Sequence, residues 1–547
     1  LGPAAIGAGS HDRNGDNADG AIGSERSEYF ERGRHVATEL AGHTAAGARA
    51  DVKRRSAATS SASTGAKRGL DRFAFPIALA SLIATGLLLR WHLAVRNSFP
   101  NYDGVFYLEQ ARDLVSGGRL PLSTFPPGWP LLFTPVLAVL GLDDPAAPLR
   151  AAQALNVVFG AAFAWLTCLT LARGYGRPAG LAAAAIVLFL PLSIHLSRIE
   201  LSEMSYACVL AGAWLLRERG HRWLTGLLLG YAYLIRPEAL LVVAALLVHD
   251  WVRTRRLEWR TGLGAAIVVL PYLIFLRVAG GHWLLSSKAV FVQEALAGLP
   301  FSALAGRTLH NTWIFSMRAG EVLGWSLVAL AVLGLARRPG RWLLFLAPLT
   351  IVPFFSFSME PRFWVPYLPF LLLAAASGFR WLKQWSPLSG RRCVTPVVAV
   401  LVLGSLIAVV VRDYPLIANN QEAYIGLKEA GLNLRPRIAR DALIASYKPY
   451  ASFWAWCEFT KIPDGDSLPA ILAAVEDAGA QYLVVDAKTV GDRRSALQPL
   501  LVPPLTDELS RRLVLVGRLT FPDEPLQNTA IFLVRANNRP AQGQGGR

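Results

Sequence analysis

The stretch NSFPNYDGVFYLEQARDLVSGGRLPLSTFPPGWP (97–130) lies between two apolar runs, FAFPIALASLIATGLLL (73–89) and PPGWPLLFTPVLAVLG (126–141), and overlaps the second. From Asp103 to Ser116 its spacing predicts a helix, with Gly117-Gly118 as the stop. Asp103, Tyr107, Ala111 and Leu114 stand three and four residues apart and so share one face, while Glu109, Arg112 and Asp113 project elsewhere. Asp103 sits at the helix start, where a carboxylate is a favoured N-cap. Two readings follow from position: a cap on a surface helix lying on a membrane, or a reactive carboxylate held at the membrane surface by that helix.

Outward from this loop the chain is apolar on a scale that one soluble core cannot hide. Of its 547 residues 53% are hydrophobic and 17% charged, against about a quarter charged in ordinary soluble domains; the mean hydropathy is +0.36. LAAAAIVLFLPLSI (181–194), TGLGAAIVVLPYLIFL (261–276) and VTPVVAVLVLGSLIAVVV (394–411) join the first run. With their flanks they approach or reach the roughly 17–25 residues that cross a bilayer as helix.

The formal net charge of +17 falls largely in short loops: 51–72, 172–178, 217–222, 252–260, 336–341 and 380–392. Positive-inside sorting explains this placement and puts those loops in the cytoplasm, so nucleic acid is not expected as a partner. The intervening stretches 96–147, 197–203, 280–320 and 358–362 are longer or acidic and should face outside. About eleven spans satisfy the alternation, beginning near 73, 148, 179, 204, 222, 238, 261, 321, 342, 363 and 394. The fold class expected is thus a multi-pass α-helical membrane protein, N-terminus cytoplasmic, in the plasma (inner) membrane. The piece 126–141 is short and carries four prolines. Had it spanned, every later basic loop would move outside, so it is expected to be juxtamembrane or re-entrant.

Residues 1–72, rich in Gly, Ala, Ser and charge, read as a disordered cytoplasmic segment, and the run after them as a retained signal anchor. The membrane domain spans 73–412. From 413 to 537 the pattern changes: LPAILAAVEDAGA (468–480) is an amphipathic helix, and AQYLVVDA (480–487), RLVLVGRL (512–519) and NTAIFLVRA (528–536) are strand-like. A small α/β extracytoplasmic domain is expected there, with a disordered tail over 538–547. Its aromatic segment YKPYASFWAWCEF (447–459) suits either a core or a sugar-stacking surface. The four cysteines form no C-x-x-C or Cys/His cluster, so neither a zinc site nor a disulfide framework is indicated.

The pattern D-x3-Y-x3-A-x2-L-x2-G from Asp103 through Tyr107, Ala111, Leu114 and Gly117, followed by Pro126-Pro127-Gly128-Trp129-Pro130, resembles the GT-C superfamily of membrane glycosyltransferases. The likeness is greatest to the branch that holds protein O-mannosyltransferases, aminoarabinose transferases and RgtA/B/C/D-like enzymes. LIRPEAL (234–240) and EPRFWVPYLPFLLLAAASG (360–378) resemble further segments of that family, and the likeness extends from about Phe73 to Val411. One departure stands out: many relatives carry an acidic pair in the loop, where this chain has Asp103-Gly104.

The resemblance implies transfer of a hexose or pentose from a polyprenyl-phosphate donor to a glycan, lipid or protein acceptor outside the cytoplasm, with inversion. Asp103 is then the candidate general base. Cations near the leaving phosphate should lower the barrier, and guanidinium groups suit it best. The outward-facing candidates for contact with substrate are Arg198, Arg236, Lys288 and Arg362, with His282 behind them. Arg362, in Glu360-Pro361-Arg362, is the strongest of these; the competing role is an interfacial arginine snorkelling to headgroups. Glu203 is the candidate second acid, with Glu200 competing for that role and a solvated loop charge as the alternative for both. Glu238, next to Pro237, needs a cavity or a partner such as Arg236. Tyr107 shares the Asp103 face, and Glu360 adjoins Arg362. Without an acidic pair no metal or other cofactor is expected. The other class of function is a transporter or flippase of lipid-linked precursors. That class would show internal repeats and midplane charges; no repeat is visible, and the acids lie at the outer ends of spans.

Overall fold

The computed structural model describes residues 73–535, except 119, 257, 282, 285, 287–298, 338–339, 356–358, 386–390, 419–423, 464, 466, 494 and 503. The segments 1–72 and 536–547 lie outside the described residues, and with them the disorder expected of 1–72 and 538–547.

Helix α1 (Phe73–Val95) is followed by the loop helix α2 (Tyr102–Gly117) and a short apolar α3 (Gly128–Leu140). Then come α4 (Ala147–Tyr175), α5 (Arg177–Phe189), α6 (Pro191–Arg198), α7 (Glu203–Glu218), α8 (Arg222–Ile235), α9 (Ala239–Thr254) and α10 (Trp259–Gly280). Beyond the described gap lie α11 (Phe301–Leu323), α12 (Trp325–Arg337), a 3-10 segment (Arg341–Thr350), and a second one (Pro361–Tyr367) that runs into α13 (Leu368–Trp385); α14 (Arg391–Ala418) closes the membrane part.

Among the described residues five helices are long and apolar enough to cross a membrane, seven if each bent pair counts as one. The expected eleven therefore divide into long spans and shorter pieces. Helices α7, α8 and α9 have 16, 14 and 16 residues, about 21–24 Å at 1.5 Å per residue and less than the ~30 Å hydrocarbon core. The 13-residue α3 reaches about 20 Å. The span expected from 321 is instead the pair α11/α12, bent by 116° at Gly324, and its first helix occupies part of what read as an external loop. The span expected from 342 is a 3-10 segment ending in a single α-turn (Val352–Phe355). Pro348 and Pro353 lack the N–H groups an α-helix needs there. Burial orders the bundle. The apolar window of Pro361–Trp385 is 72% buried, whereas that of α14 is 6% buried and presents Val397, Val400, Leu403 and Val411 outward, as a lipid-facing helix does.

The α5/α6 break of 58° shows how the bundle tolerates interruptions. Pro191 cannot donate to the carbonyl four residues earlier, and the bend also strips the next one. Arg90 of α1, fully buried, donates to both: Nη2 to Val187 O (2.9 Å) and Nη1 to Leu188 O (2.7 Å). Its remaining groups reach Ser193 Oγ (3.2 Å) and Ser197 Oγ (3.0 Å).

The C-terminal region holds a five-stranded sheet of order β2-β1-β3-β5-β4, with β1 Leu443–Ser446, β2 Glu458–Lys461, β3 Tyr482–Asp486, β4 Leu513–Leu519 and β5 Thr529–Val534. β1 pairs parallel with β2 and β3; β5 pairs antiparallel with β3 and β4. The helix expected over 468–480 runs Leu468–Asp477. Tyr450, Phe453 and Trp454 are buried. They belong to the seam with the loop helix, where Arg112 donates to Phe453 O (3.1 Å) and lies over the rings of Phe453 and Trp456.

Replacing Arg90 by Leu should orphan two buried carbonyls and cost about 3 kcal/mol or more. Thermal unfolding in detergent should show a midpoint clearly below wild type, only partly restored by Arg90→Lys; an unchanged midpoint would contradict this account of the break.

Candidate functional site

Three interruptions of the helical bundle meet at one end of α2. The first is 199–202, between α6 and α7; its carbonyls at Ile199 and Leu201 accept from Asn156 Nδ2 (2.5 and 2.8 Å), and that of Glu200 accepts from Trp129 Nε1 (2.7 Å). The second is Arg236-Pro237-Glu238: the residue before a proline is pushed out of the helical region, and Arg236 is extended (φ −147°, ψ 119°). The third is Glu360-Pro361, where Glu360 is extended and Pro361 starts the 3-10 segment. The Pro126-Pro127-Gly128-Trp129-Pro130 stretch locks the second interruption to the loop. A Cβ on Gly128 would lie 2.4 Å from the Leu234 backbone, so only glycine allows α3 to start against the end of α8. Tyr231 also donates to Gly128 O (2.8 Å).

Asp103 is not the helix cap. Asn101 holds that place, its side chain accepting the Asp103 N–H (3.1 Å), and Gly118 ends α2 in the left-handed region (φ 60°) with its N–H on Leu114 O. The Asp103 carboxylate is thereby released to accept from Arg362 Nη2 (2.9 Å). Arg362 also pairs with Glu360 (Nε–Oε2 2.6 Å) and approaches Glu203 (3.6 Å). Glu203 Oε1 accepts from Arg236 Nη1 (3.1 Å), and Arg236 Nε donates to Glu238 (2.5 Å). The result is one chain of charges, Asp103–Arg362–Glu203–Arg236–Glu238, with Glu360 at its side. Glu203 is 4% exposed, Glu238 and the two arginines 14–16%, whereas Asp103 (32%) and Glu360 (43%) reach solvent. Phe363 lies beneath both guanidiniums (5.2 and 5.6 Å).

The cluster lines a cavity of about 60 Å³ with Tyr107, Ser202 and Phe125. That is room for a few waters and far below the hundreds of Å³ of a typical ligand site, so in this state the ion pairs fill the site. Tyr107 stands within 3.2 Å of Ser202 Oγ, and burial pushes its hydroxyl above the ordinary tyrosine range, keeping it a proton donor.

Of the residues singled out in the sequence, Asp103, Tyr107, Glu203, Arg236, Glu238, Glu360 and Arg362 come together. Arg198 is buried in α6 and does not line the cavity. Lys288 and His282 lie outside the described residues. Phe363, Ser202 and Phe125 went unremarked; each neighbours a charged or proline signal, but a lone aromatic or serine carries none of its own.

No protein-family sequence model matches the chain, and no curated protein matches it by sequence. Solved structures match by fold. ArnT from Cupriavidus metallidurans, bound to undecaprenyl phosphate, aligns at a TM-score of 0.55 and 14% identity over 83% of this chain and 97% of its own. The archaeal oligosaccharyltransferase AglB from Archaeoglobus fulgidus, in complex with an inhibitory peptide and a dolichol-phosphate, aligns at 0.55 and 10% identity over 77% and 70%. This chain has the GT-C fold. Apo ArnT gives the same result, at 0.53 and 15% identity.

Within that fold the Asp103-Gly104 departure has a spatial explanation. A Cβ on Gly104 would fall 1.9 Å from Glu200 Oε1, so the Glu200 carboxyl occupies the space a side chain at 104 would need. It is fully buried, accepts the Asn101 N–H, and burial pushes its pKa up to about 8. Glu200 is thus beside the Asp103 loop and Glu203 inside the charge chain; they do not compete for one position.

A carboxyl whose pKa is raised from about 4.5 in the unfolded chain binds more protons folded than unfolded. Its contribution to stability is complete below pH 4.5 and is lost as pH rises towards 8. Thermal midpoints should therefore carry a falling component across that window which Glu200→Gln removes, giving a flatter profile and a relative gain at pH 8; parallel profiles for the two proteins would refute it.

Proposed function

We propose that the protein is an integral-membrane glycosyltransferase that moves a hexose or pentose from a polyprenyl-phosphate donor to an extracytoplasmic acceptor. The observation that carries this reading is the Asp103–Arg362 pair at the mouth of the cavity (2.9 Å). It puts a carboxylate able to take a proton next to a guanidinium able to hold phosphate. The GT-C neighbours bound to undecaprenyl phosphate and dolichol-phosphate support the donor class.

In the proposed reaction the donor phosphate competes with Asp103 and Glu360 for Arg362. These two are the most solvent-exposed carboxylates of the cluster and give up their pairing at least cost. Arg236 keeps Glu203 and Glu238, so the buried part of the cluster remains paired. The freed Asp103 carboxylate accepts the acceptor hydroxyl proton as that oxygen attacks the anomeric carbon. The bond from that carbon to the phosphate oxygen breaks, its electron pair leaves with the lipid phosphate, and Arg362, with Arg236 behind it, stabilises the growing charge. Single displacement inverts the anomeric centre. The two guanidiniums supply the positive charge of the site, which is the basis for proposing a reaction without a divalent metal. The site is proposed to face away from the cytoplasm in the plasma membrane, with the N-terminus inside and the sheet domain outside.

Asp103→Asn should reduce transfer by about 10²–10⁴-fold with the thermal midpoint within a degree or two of wild type. Arg362→Gln should raise KM for the donor more than Arg362→Lys does, since lysine keeps the charge and loses the fork. The assay is mass analysis of envelope glycolipids and glycans from cells lacking the gene and complemented with each variant. Wild-type product levels from Asp103→Asn would sink the mechanism. In purified membranes a chelator should leave transfer unchanged; its abolition, restored by added magnesium or manganese, would overturn the metal-free proposal.

A further inference from the structure

Helices α4, α7 and α13 share an orientation relative to the Asp103 cluster. The N-terminal part of α4 carries Asn156, which pins the 199–202 interruption; α7 begins at Glu203; α13 continues the segment that carries Arg362. Their C-terminal ends therefore meet at the other face of the bundle, about 24 Å away along α7. There they enclose a second cavity, of about 400 Å³, outside everything the proposed reaction uses.

Its lining combines two kinds of group. Trp214 of α7 and Trp342 of the first 3-10 segment are buried walls, with Tyr175 of α4 at the edge. Arg173 of α4 and Arg380 of α13 line it from two different helices, both exposed, and Glu218 of α7, also exposed, is the acid present. No ion pair among the described residues joins Arg173, Arg380 or Glu218 to a protein partner, although Arg217, one residue away, is paired with Asp250. The lining therefore carries two positive charges and one negative, an excess of one positive charge. The volume lies within the range of small-ligand pockets. Tryptophan and tyrosine beside arginine is the composition of a membrane–water interface.

We propose that this cavity binds the headgroup of an anionic phospholipid in the leaflet opposite the Asp103 cluster. The phosphodiester would sit between Arg173 and Arg380, whose forks match its oxygens. Headgroup hydroxyls would donate to Glu218, and the indole walls would exclude water from the pairing. The net charge selects the ligand: one excess positive charge complements a headgroup of net charge −1, such as phosphoglycerol, and not a zwitterion of net charge zero.

The test uses the purified, delipidated full chain and native mass spectrometry. Dioleoyl phosphatidylglycerol and dioleoyl phosphatidylcholine are titrated in parallel. Wild type should hold one phosphatidylglycerol about tenfold more tightly than phosphatidylcholine, as expected of a charge-assisted pairing. The double variant Arg173→Gln/Arg380→Gln should lose that preference. So should Gly174→Trp, which keeps every charge and fills the cavity from an exposed helical position where a Cβ meets nothing. Arg219→Gln/Arg253→Gln removes two exposed charges from the same end of the bundle and should keep the preference. Retention in either cavity variant, or equal loss in the last one, would overturn the proposal. Displacement of the bound lipid by millimolar inorganic phosphate would overturn the lipid assignment in favour of a soluble phosphate.

Discussion

A helix broken inside an apolar bundle exposes backbone groups that must find partners, and this constraint organises the molecule. At the α5/α6 bend the partner is the Arg90 guanidinium; at 199–202 it is Asn156 with Trp129. Once satisfied, each break becomes a rigid point at which a polar side chain can be carried among apolar helices. The cluster around Asp103 is made of residues at three such points. No single helix could present Asp103, Glu203, Arg236 and Arg362 to one cavity.

Charge compensation sets what those points can carry. Isolated, any of these groups would be costly away from water. Together they alternate in sign: Glu203, the most buried of the carboxylates at 4% exposure, lies between two arginines, while Asp103 and Glu360 at the mouth remain partly solvated. The cluster is therefore tight at its centre and loose at its mouth. A substrate anion meets first the part that is least expensive to rearrange.

Much of this was legible in residue order. Proline after Arg236 and before Arg362 marks helix ends, and charge at a helix end in an apolar chain implies a shared cavity; hence seven of the residues named from sequence converge. Helix α2 begins one residue before and ends one after its expected bounds. The sequence does not separate Asn101 from Asp103 as its cap, since both are good capping residues two positions apart; the Asn101 side chain on the Asp103 N–H and the Asp103–Arg362 pair distinguish them. Arg90 carries no sequence signal, because a hydropathy window averages one cation away. Strands β1 and β2, at four residues each, are too short for an alternation to register. The 3-10 segment at 341–350 reads as a span in any apolar count, since hydropathy is blind to the missing N–H groups of Pro348 and Pro353.

The Gly104 position shows why a motif can fail in sequence and still be understood in space. An acid at 104 and the Glu200 carboxyl cannot coexist, because they claim the same volume. The chain therefore holds its buried carboxyl from the far side of the loop, 96 residues later, on a break pinned by Asn156 and Trp129. Anchored there, Glu200 accepts the N–H of Asn101, the residue that caps α2. The carboxyl thus fixes the cap, and the cap leaves Asp103 in the first turn with its own carboxylate uncommitted to the backbone. Glycine at 104 is in this sense a condition of Asp103 reaching Arg362, and the departure from the acidic pair belongs to the architecture of the site.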